Sequence, residues 1–166
     1  MRTLEDIHEE YDFLDGDERY RLLIESAEDF IFTLNEDICL KSVNSYTANF
    51  FGSDAEQLID RPLADLLDED MARKNTKAAG QVFATGRSVR EEIEIRSVDP
   101  PIWLNANYMP LKNESGEIHL VLCIARDITE RKTTDQMQRS LEAKTMVLRE
   151  LEQISEMELD QKIKNI

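Results

Sequence analysis

The tightest constraint on the fold lies near the C-terminus, where an apolar run that reads as a strand passes within a few residues into one long helical stretch. Residues 118–125, Ile-His-Leu-Val-Leu-Cys-Ile-Ala, are almost continuously apolar with several β-branched members, the pattern of a strand covered on both faces. From Thr129 onward there is neither proline nor glycine, and Leu141, Leu148, Leu151, Leu159, Ile163 and Ile166 recur at helical spacing. Between the two stands Arg126-Asp-Ile-Thr-Glu-Arg-Lys132. Asp127 is predicted to cap the helix, and Glu130, three residues on, to complete a capping box. A strand joined so closely to a long helix can hand a change from one to the other, so Asp127, Thr129 and Glu130 are the expected signal-transfer hinge.

Upstream, the period alternates between helix and strand. Leu4, Ile7, Tyr11 and Leu14 fall at steps of three and four, which predicts an amphipathic helix over residues 3–14 ending near Gly16. A second helix is expected from Asp17, as its cap, to Ser26. Phe30 to Leu34 and Ile38 to Val43 read as a hairpin around Asn35-Glu36-Asp37, although no glycine stands in the turn. Short helical pieces follow near Ser45 to Phe51 and Ala55 to Ile59, and new turns begin at Pro62 and at Asp68-Glu69-Asp70. A longer helix over Asp70 to Ala84 places Met71, Ala78, Ala79, Val82 and Phe83 on one face, with Gly86 as its stop. Three strands close the unit, Val89 to Val98, Ile102 to Met109 and Glu117 to Arg126, separated by Asp99-Pro100-Pro101 and Asn113-Glu114-Ser115-Gly116. Two strands, short helices, one longer helix and three strands make an α+β fold on an antiparallel sheet.

A chain of 166 residues accommodates one ordinary domain plus an extension. The expected division is an N-terminal amphipathic helix over 1–16, a domain over 17–128 and a C-terminal helix over 129–166. A net charge of −15 and a pI near 4.5 argue against nucleic acid or an anionic membrane as partner, because both need a cationic surface. No apolar run approaches the ~20 residues that cross a bilayer, and the N-terminus lacks a signal peptide's apolar core, so a cytoplasmic location is expected. Cys39 and Cys123 lie far apart in apolar runs without metal-ligand spacing, and read as reduced core cysteines.

In its order of elements and in four short motifs the chain resembles the PAS domain, a sensory and interaction module. The motifs are Arg19-Tyr-Arg-Leu-Leu-Ile-Glu-Ser-Ala-Glu-Asp-Phe-Ile-Phe32; Asn44 followed by Phe50-Phe-Gly52; Gln57-Leu-Ile-Asp-Arg-Pro-Leu63; and Trp103 with the terminal Arg126 to Lys132 run. The resemblance implies a five-stranded antiparallel sheet with short helices on one face and a pocket between them. The expected pocket draws on Phe32, Phe50, Phe51, Leu66, Met71, Phe83, Ile93, Leu104, Ala106, Tyr108 and Cys123. Leu104, Ala106 and Tyr108 share one face of their strand and are assigned inward by the resemblance; Trp103, Asn105 and Asn107 share the other. The region Leu63 to Asn75 holds no cysteine, which disfavours the flavin adduct of photosensing relatives. The only histidines, His8 and His119, lie off the helix that carries the haem ligand in other relatives, which disfavours haem. Non-covalent flavin, a small carboxylic acid, a fatty acid and no ligand at all remain open.

The C-terminal helix carries a seam through Leu141, Lys144, Leu148, Leu151, Ser155, Leu159, Ile163 and Ile166, with extra steps of four after Leu151. At about 1.5 Å per residue it extends on the order of 55 Å, and it cannot bury that stripe on itself. A parallel homodimer is the economical expectation, with Leu4, Ile7, Tyr11, Leu14, Trp103, Leu141, Leu148, Leu151, Leu159 and Ile163 at the interface. The pattern runs to the last residue without a breaker, as expected for a fragment whose output domain, of histidine kinase or diguanylate cyclase type by the resemblance, lies elsewhere. No enzyme is expected: the five glycines are not grouped to cradle a phosphate, and His8-Glu9-Glu10 lacks the remainder of a phosphoacceptor pattern. A ligand-free PAS interaction module is the alternative reading.

Overall fold

The computed structural model describes residues 16–164. The expected helix over residues 3–14, and Ile166 at the end of the seam, lie outside the described residues. The chain divides after Asp127 into two compact units. In the first, α1 (Gly16–Ser26) precedes the hairpin β1 (Phe30–Leu34) and β2 (Leu40–Val43). Then come α2 (Ser45–Phe50), α3 (Ala55–Leu58), a 3-10 turn (Leu63–Asp65), α4 (Glu69–Thr85), β3 (Val89–Ile95), β4 (Ile102–Lys112) and β5 (Ile118–Asp127). The five strands form one sheet in the order β2-β1-β5-β4-β3, every pair antiparallel. The C-terminal strand therefore sits in the middle of the sheet, which is why residues 118–125 read as nearly continuous apolar sequence.

Helix ends follow local chemistry. The Asp68 carboxylate accepts from the Met71 N–H at 2.9 Å and caps α4; Gly86, at φ 67°, closes it by donating its N–H to the Val82 carbonyl at 2.8 Å. Inside, Met71, Ala78, Ala79 and Val82 of α4 pack on the inward residues of the sheet, among them Phe32, Leu34, Ile93, Ile95, Leu104, Ala106, Tyr108, Val121 and Cys123. The small Ala78 and Ala79 let the helix lie close to the sheet.

Three boundaries differ from the pattern. β2 begins at Leu40 instead of Ile38, because Ile38 takes a left-handed conformation at φ 59° in the turn, a place where glycine would be ordinary. The Asn35 side chain holds this turn together, its Oδ1 accepting from the Cys39 N–H at 2.8 Å. α1 begins at Gly16, so Asp17 lies in the first helical turn and is not the cap.

The third difference concerns the hinge. Asp127 is the last residue of β5, in register with Leu104 of β4, and the second unit begins with Ile128. There α5 (Thr129–Lys164) starts with the Lys132 N–H donating to the Ile128 carbonyl at 2.9 Å, so Ile128 holds the cap position that Asp127 was expected to fill. The ladder to β4 runs one residue further than the apolar pattern indicated and claims Asp127 for the sheet. Glu130 remains in the first turn, where its charge favours the helix N-terminus, and Lys162 and Lys164 do the same at the C-terminal end. No residue of this helix is buried.

The charge balance has a direct consequence for stability. With 35 acidic against 20 basic side chains, folding brings like charges together, and salt screens that repulsion. Raising NaCl from about 0.05 M to about 1 M is expected to lift the thermal midpoint of the domain by about 5 °C. A midpoint that falls instead would show that exposed pairs such as Lys41–Asp60 and Arg73–Asp70 outweigh the repulsion.

Candidate functional site

Between the sheet and its helical cover lies a small cavity of about 40 Å³, lined by Phe30, Phe32, Thr47, Phe50, Phe51, Leu63, Leu67, Met71, Asn75 and Ile95. β1 supplies Phe30 and Phe32 at alternate positions, and α4 supplies Met71 and Asn75 one turn apart. Phe50 and Phe51, at the end of α2, form the aromatic rim. Phe30 meets Tyr46 and Phe50 edge-to-face at centroid distances of 5.0 Å, and Phe50 meets Phe51 at 5.5 Å. The walls are apolar apart from Thr47 and Asn75.

Both polar residues are anchored. Asn75 is 4% exposed; its Oδ1 accepts from the Tyr108 hydroxyl at 2.6 Å and its Nδ2 donates to the Met71 carbonyl at 2.9 Å. Tyr108 lies in register with Cys123 across β4 and β5, so a buried line of polar groups runs from the cavity wall to the central strand. Burial pushes the Tyr108 phenol well above its ordinary range, with the Cys123 and Glu91 charges adding to the effect; burial likewise pushes up the Cys123 thiol. Both are neutral at physiological pH.

Thr47 belongs to a second knot centred on Asn44, which is fully buried. Asn44 Oδ1 accepts from the Thr47 N–H at 3.0 Å, the Thr47 hydroxyl at 2.7 Å and the Ile31 N–H at 3.2 Å. Its Nδ2 donates to the carbonyls of Ile24 at 3.2 Å and Asp29 at 3.0 Å. One side chain thus caps α2, fixes the start of β1 and ties down the end of α1. Nearby, the Asp29 carboxylate takes a forked contact from Arg126 of β5, with Nη2 to Oδ2 at 2.8 Å and Nε to Oδ1 at 3.0 Å, and this holds the guanidinium pKa above its usual range. Among the described residues, no buried side-chain nitrogen or oxygen lacks a partner, and no three metal-ligating side chains cluster.

Of the expected pocket residues, Phe32, Phe50, Phe51 and Met71 line the cavity. Ile93, Leu104, Ala106, Tyr108 and Cys123 are buried on the same sheet face but are not among its lining residues, because neighbouring side chains fill the space in front of them. Leu66 packs against the core without reaching the cavity. Phe83 instead lines an open surface groove with Asn35, Glu36, Asp37, Asn113, Glu117, Ile118 and His119, near the hairpin turns. Phe30, Thr47, Leu63, Leu67, Asn75 and Ile95 were missed by sequence reasoning. Two of them carried a signal: Phe30 stands two residues before Phe32 on one strand, and Asn75 four after Met71 on one helix. Trp103, Asn105 and Asn107 are half-buried on the opposite sheet face, and Leu141, Leu148, Leu151, Leu159 and Ile163 are exposed on α5.

A five-stranded antiparallel sheet covered on one face by short helices around a small internal cavity defines a sensory module of α+β type. The chain belongs to the PAS fold family, whose model matches residues 24–133. No curated protein matches it. Among solved structures it is similar to a domain of an HTR-like protein from Haloarcula marismortui, at 22% identity and a TM-score of 0.54, covering 62% of this chain and 100% of that one. The PAS domain of BvgS from Bordetella pertussis aligns at 20% identity and a TM-score of 0.59, over 78% of this chain and 98% of that one. Vibrio cholerae VqmA, described as a dimer, aligns at 17% identity and a TM-score of 0.62, over 70% of this chain and 52% of that one. Among the described residues no helix is long and apolar enough to cross a membrane.

Proposed function

We propose that this PAS domain is the cytoplasmic input module of a signalling protein, which answers a small ligand and passes its state through a dimeric α5 to an output domain of histidine kinase or diguanylate cyclase type. The observation that carries this reading is continuity along one strand. Cys123, buried beside Tyr108, and Asp127, the last strand residue, lie four residues apart on β5, and Thr129 opens α5 two residues later. A ligand that shifts Asn75 and Tyr108 thereby acts on the strand that leads into Asp127, Thr129 and Glu130. Such a ligand is a signal only in so far as it binds two states unequally.

The cavity bounds the ligand. About 40 Å³ accommodates a water molecule or little more, against the several hundred Å³ of sites that enclose drug-sized molecules. Flavin, haem or a fatty acid therefore requires the rim formed by Phe50, Phe51 and the 3-10 turn to move outward. The same tight packing favours a second reading, a ligand-free module that sets dimer geometry. Native mass spectrometry of the purified chain separates the two. The input-module reading expects a dimer carrying a defined small organic mass, or gaining one on soaking with small carboxylic acids. A dimer that stays at bare protein mass after soaking supports the second reading, and a monomer removes α5 dimerisation from both.

A further inference from the structure

The seam of α5 is palindromic. Its residues are Met137, Leu141, Lys144, Leu148, Leu151, Ser155, Leu159 and Ile163, and all of them lie on an exposed helix. Read from both ends at once, Met137 matches Ile163, Leu141 matches Leu159, Leu148 matches Leu151, and the two polar interruptions, Lys144 and Ser155, match each other. Each match is centred on the same point, near residue 150. A stretch with this property meets its own copy apolar to apolar and polar to polar when the two helices run in opposite directions.

The flanking charges follow the same symmetry. In a parallel pair, each seam residue faces its own copy, so Lys144 opposes Lys144 with like charge at the seam. In an antiparallel pair, Lys144 faces Ser155 and reaches Glu158 one turn further along. Leu148 faces Leu151, and the next residue on each helix, Arg149 and Glu152, meet on one flank. Every contact occurs twice by symmetry. Acidic and basic side chains are also nearly balanced along α5, whereas the chain as a whole carries −15, so self-pairing of this helix meets little of the repulsion that the rest of the chain carries. A second copy of this chain is therefore the occupant that its charges fit.

We infer that α5 pairs with α5 of a second copy in antiparallel register about residue 150, through Lys144 to Glu158 and Arg149 to Glu152 contacts. This rests on the dimeric reading of α5 proposed above and replaces the parallel arrangement expected from the seam alone.

The test is disulfide trapping in the full chain carrying Cys39→Ser, with Met137→Cys in one preparation and Ile163→Cys in another. The antiparallel register predicts that oxidation leaves each preparation alone uncrosslinked, while the mixture yields a covalent dimer. Crosslinking of each preparation with itself overturns the antiparallel arrangement and leaves the dimeric reading intact. A monomer by sedimentation at concentrations of about 0.1 mM overturns both. Charge reversal is an independent check: K144E is expected to weaken dimerisation on the order of tenfold, and adding E158K to restore it. Failure of the second change to rescue the first shows that the two positions do not meet.

Discussion

Asn44→Ala is expected to destabilise the domain by about 3–5 kcal/mol, lowering its thermal midpoint by roughly 10 °C. The side chain is fully buried and makes five hydrogen bonds, to Ile24, Asp29, Ile31 and twice to Thr47. Alanine leaves the Ile24 and Asp29 carbonyls without this donor, and each buried polar group left unpaired costs about 1–3 kcal/mol. The Ile31 N–H keeps the Thr47 hydroxyl at 3.0 Å, which limits the damage at that position. The lost cap on α2 adds about 1 kcal/mol. Asn44→Asp serves as the control: it retains the acceptor but turns a carboxylate toward two carbonyls, so it should rescue little. Chemical denaturation of the three proteins measures the series. A loss under 1 kcal/mol for alanine would mean that water replaces the amide and that the knot does not hold α1, β1 and α2 together.

The second large effect is loss of stability in alkali. The Tyr108 phenol and Cys123 thiol are both raised from ordinary values of 10.0 and 9.0 by burial. The folded state holds their protons longer than the unfolded state does. Their contribution is therefore complete below about pH 8.5 and is lost as pH rises through the unfolded values toward the folded ones. Unfolding free energy should fall by about 1.4 kcal/mol per pH unit once the thiol ionises in the unfolded chain, and by about 2.7 once the phenol follows. Tyr108→Phe should remove the steeper part of that slope while lowering stability at pH 7 by about 1–3 kcal/mol, since Asn75 Oδ1 loses its donor. Urea titrations between about pH 7 and pH 11 decide it. A wild-type profile that is flat above pH 9 would mean that water reaches the buried pair and that the line from the cavity to β5 is wet.

That polar line bears on function as well as stability. It links the cavity wall to the central strand through Asn75, Tyr108 and Cys123, which are buried and neutral, so any ligand that competes for the Asn75 amide disturbs a satisfied network. Because a partly satisfied buried network is poorly tolerated, such competition would favour a rearranged state over a small adjustment.

How much of this was legible in the chain differs from residue to residue. The α4 boundaries follow from Asp68 and Gly86, local signals that act through a single hydrogen bond or a single φ, and they fall within a residue of the expected limits. The inward face of β4 follows from alternation, since Leu104, Ala106 and Tyr108 are buried and their neighbours half-buried. The cavity lining was harder. Side-chain period tells which residues face inward but not which of them meet a void, because a void is the shape left over when several elements pack. Leu63, Leu67 and Ile95 come from three segments whose relative placement no local pattern encodes.

The Asp127 cap shows the same limit at a boundary. Asp-x-x-Glu before a helical run is a sound local signal, yet the pairing with β4 extends through Asp127, and a long-range ladder overrides a short-range cap. By itself, the sequence determined the order and type of the elements, the central position of β5 through its two-sided hydrophobicity, and the symmetric pattern of α5, because these depend on period, turn chemistry and spacing along the chain. Only the tertiary structure decided where the strand yields to the helix, how small the cavity is and which buried polar groups meet, because these depend on contacts such as Tyr108 with Asn75, 33 residues apart, that exist only after the sheet and its helices have packed.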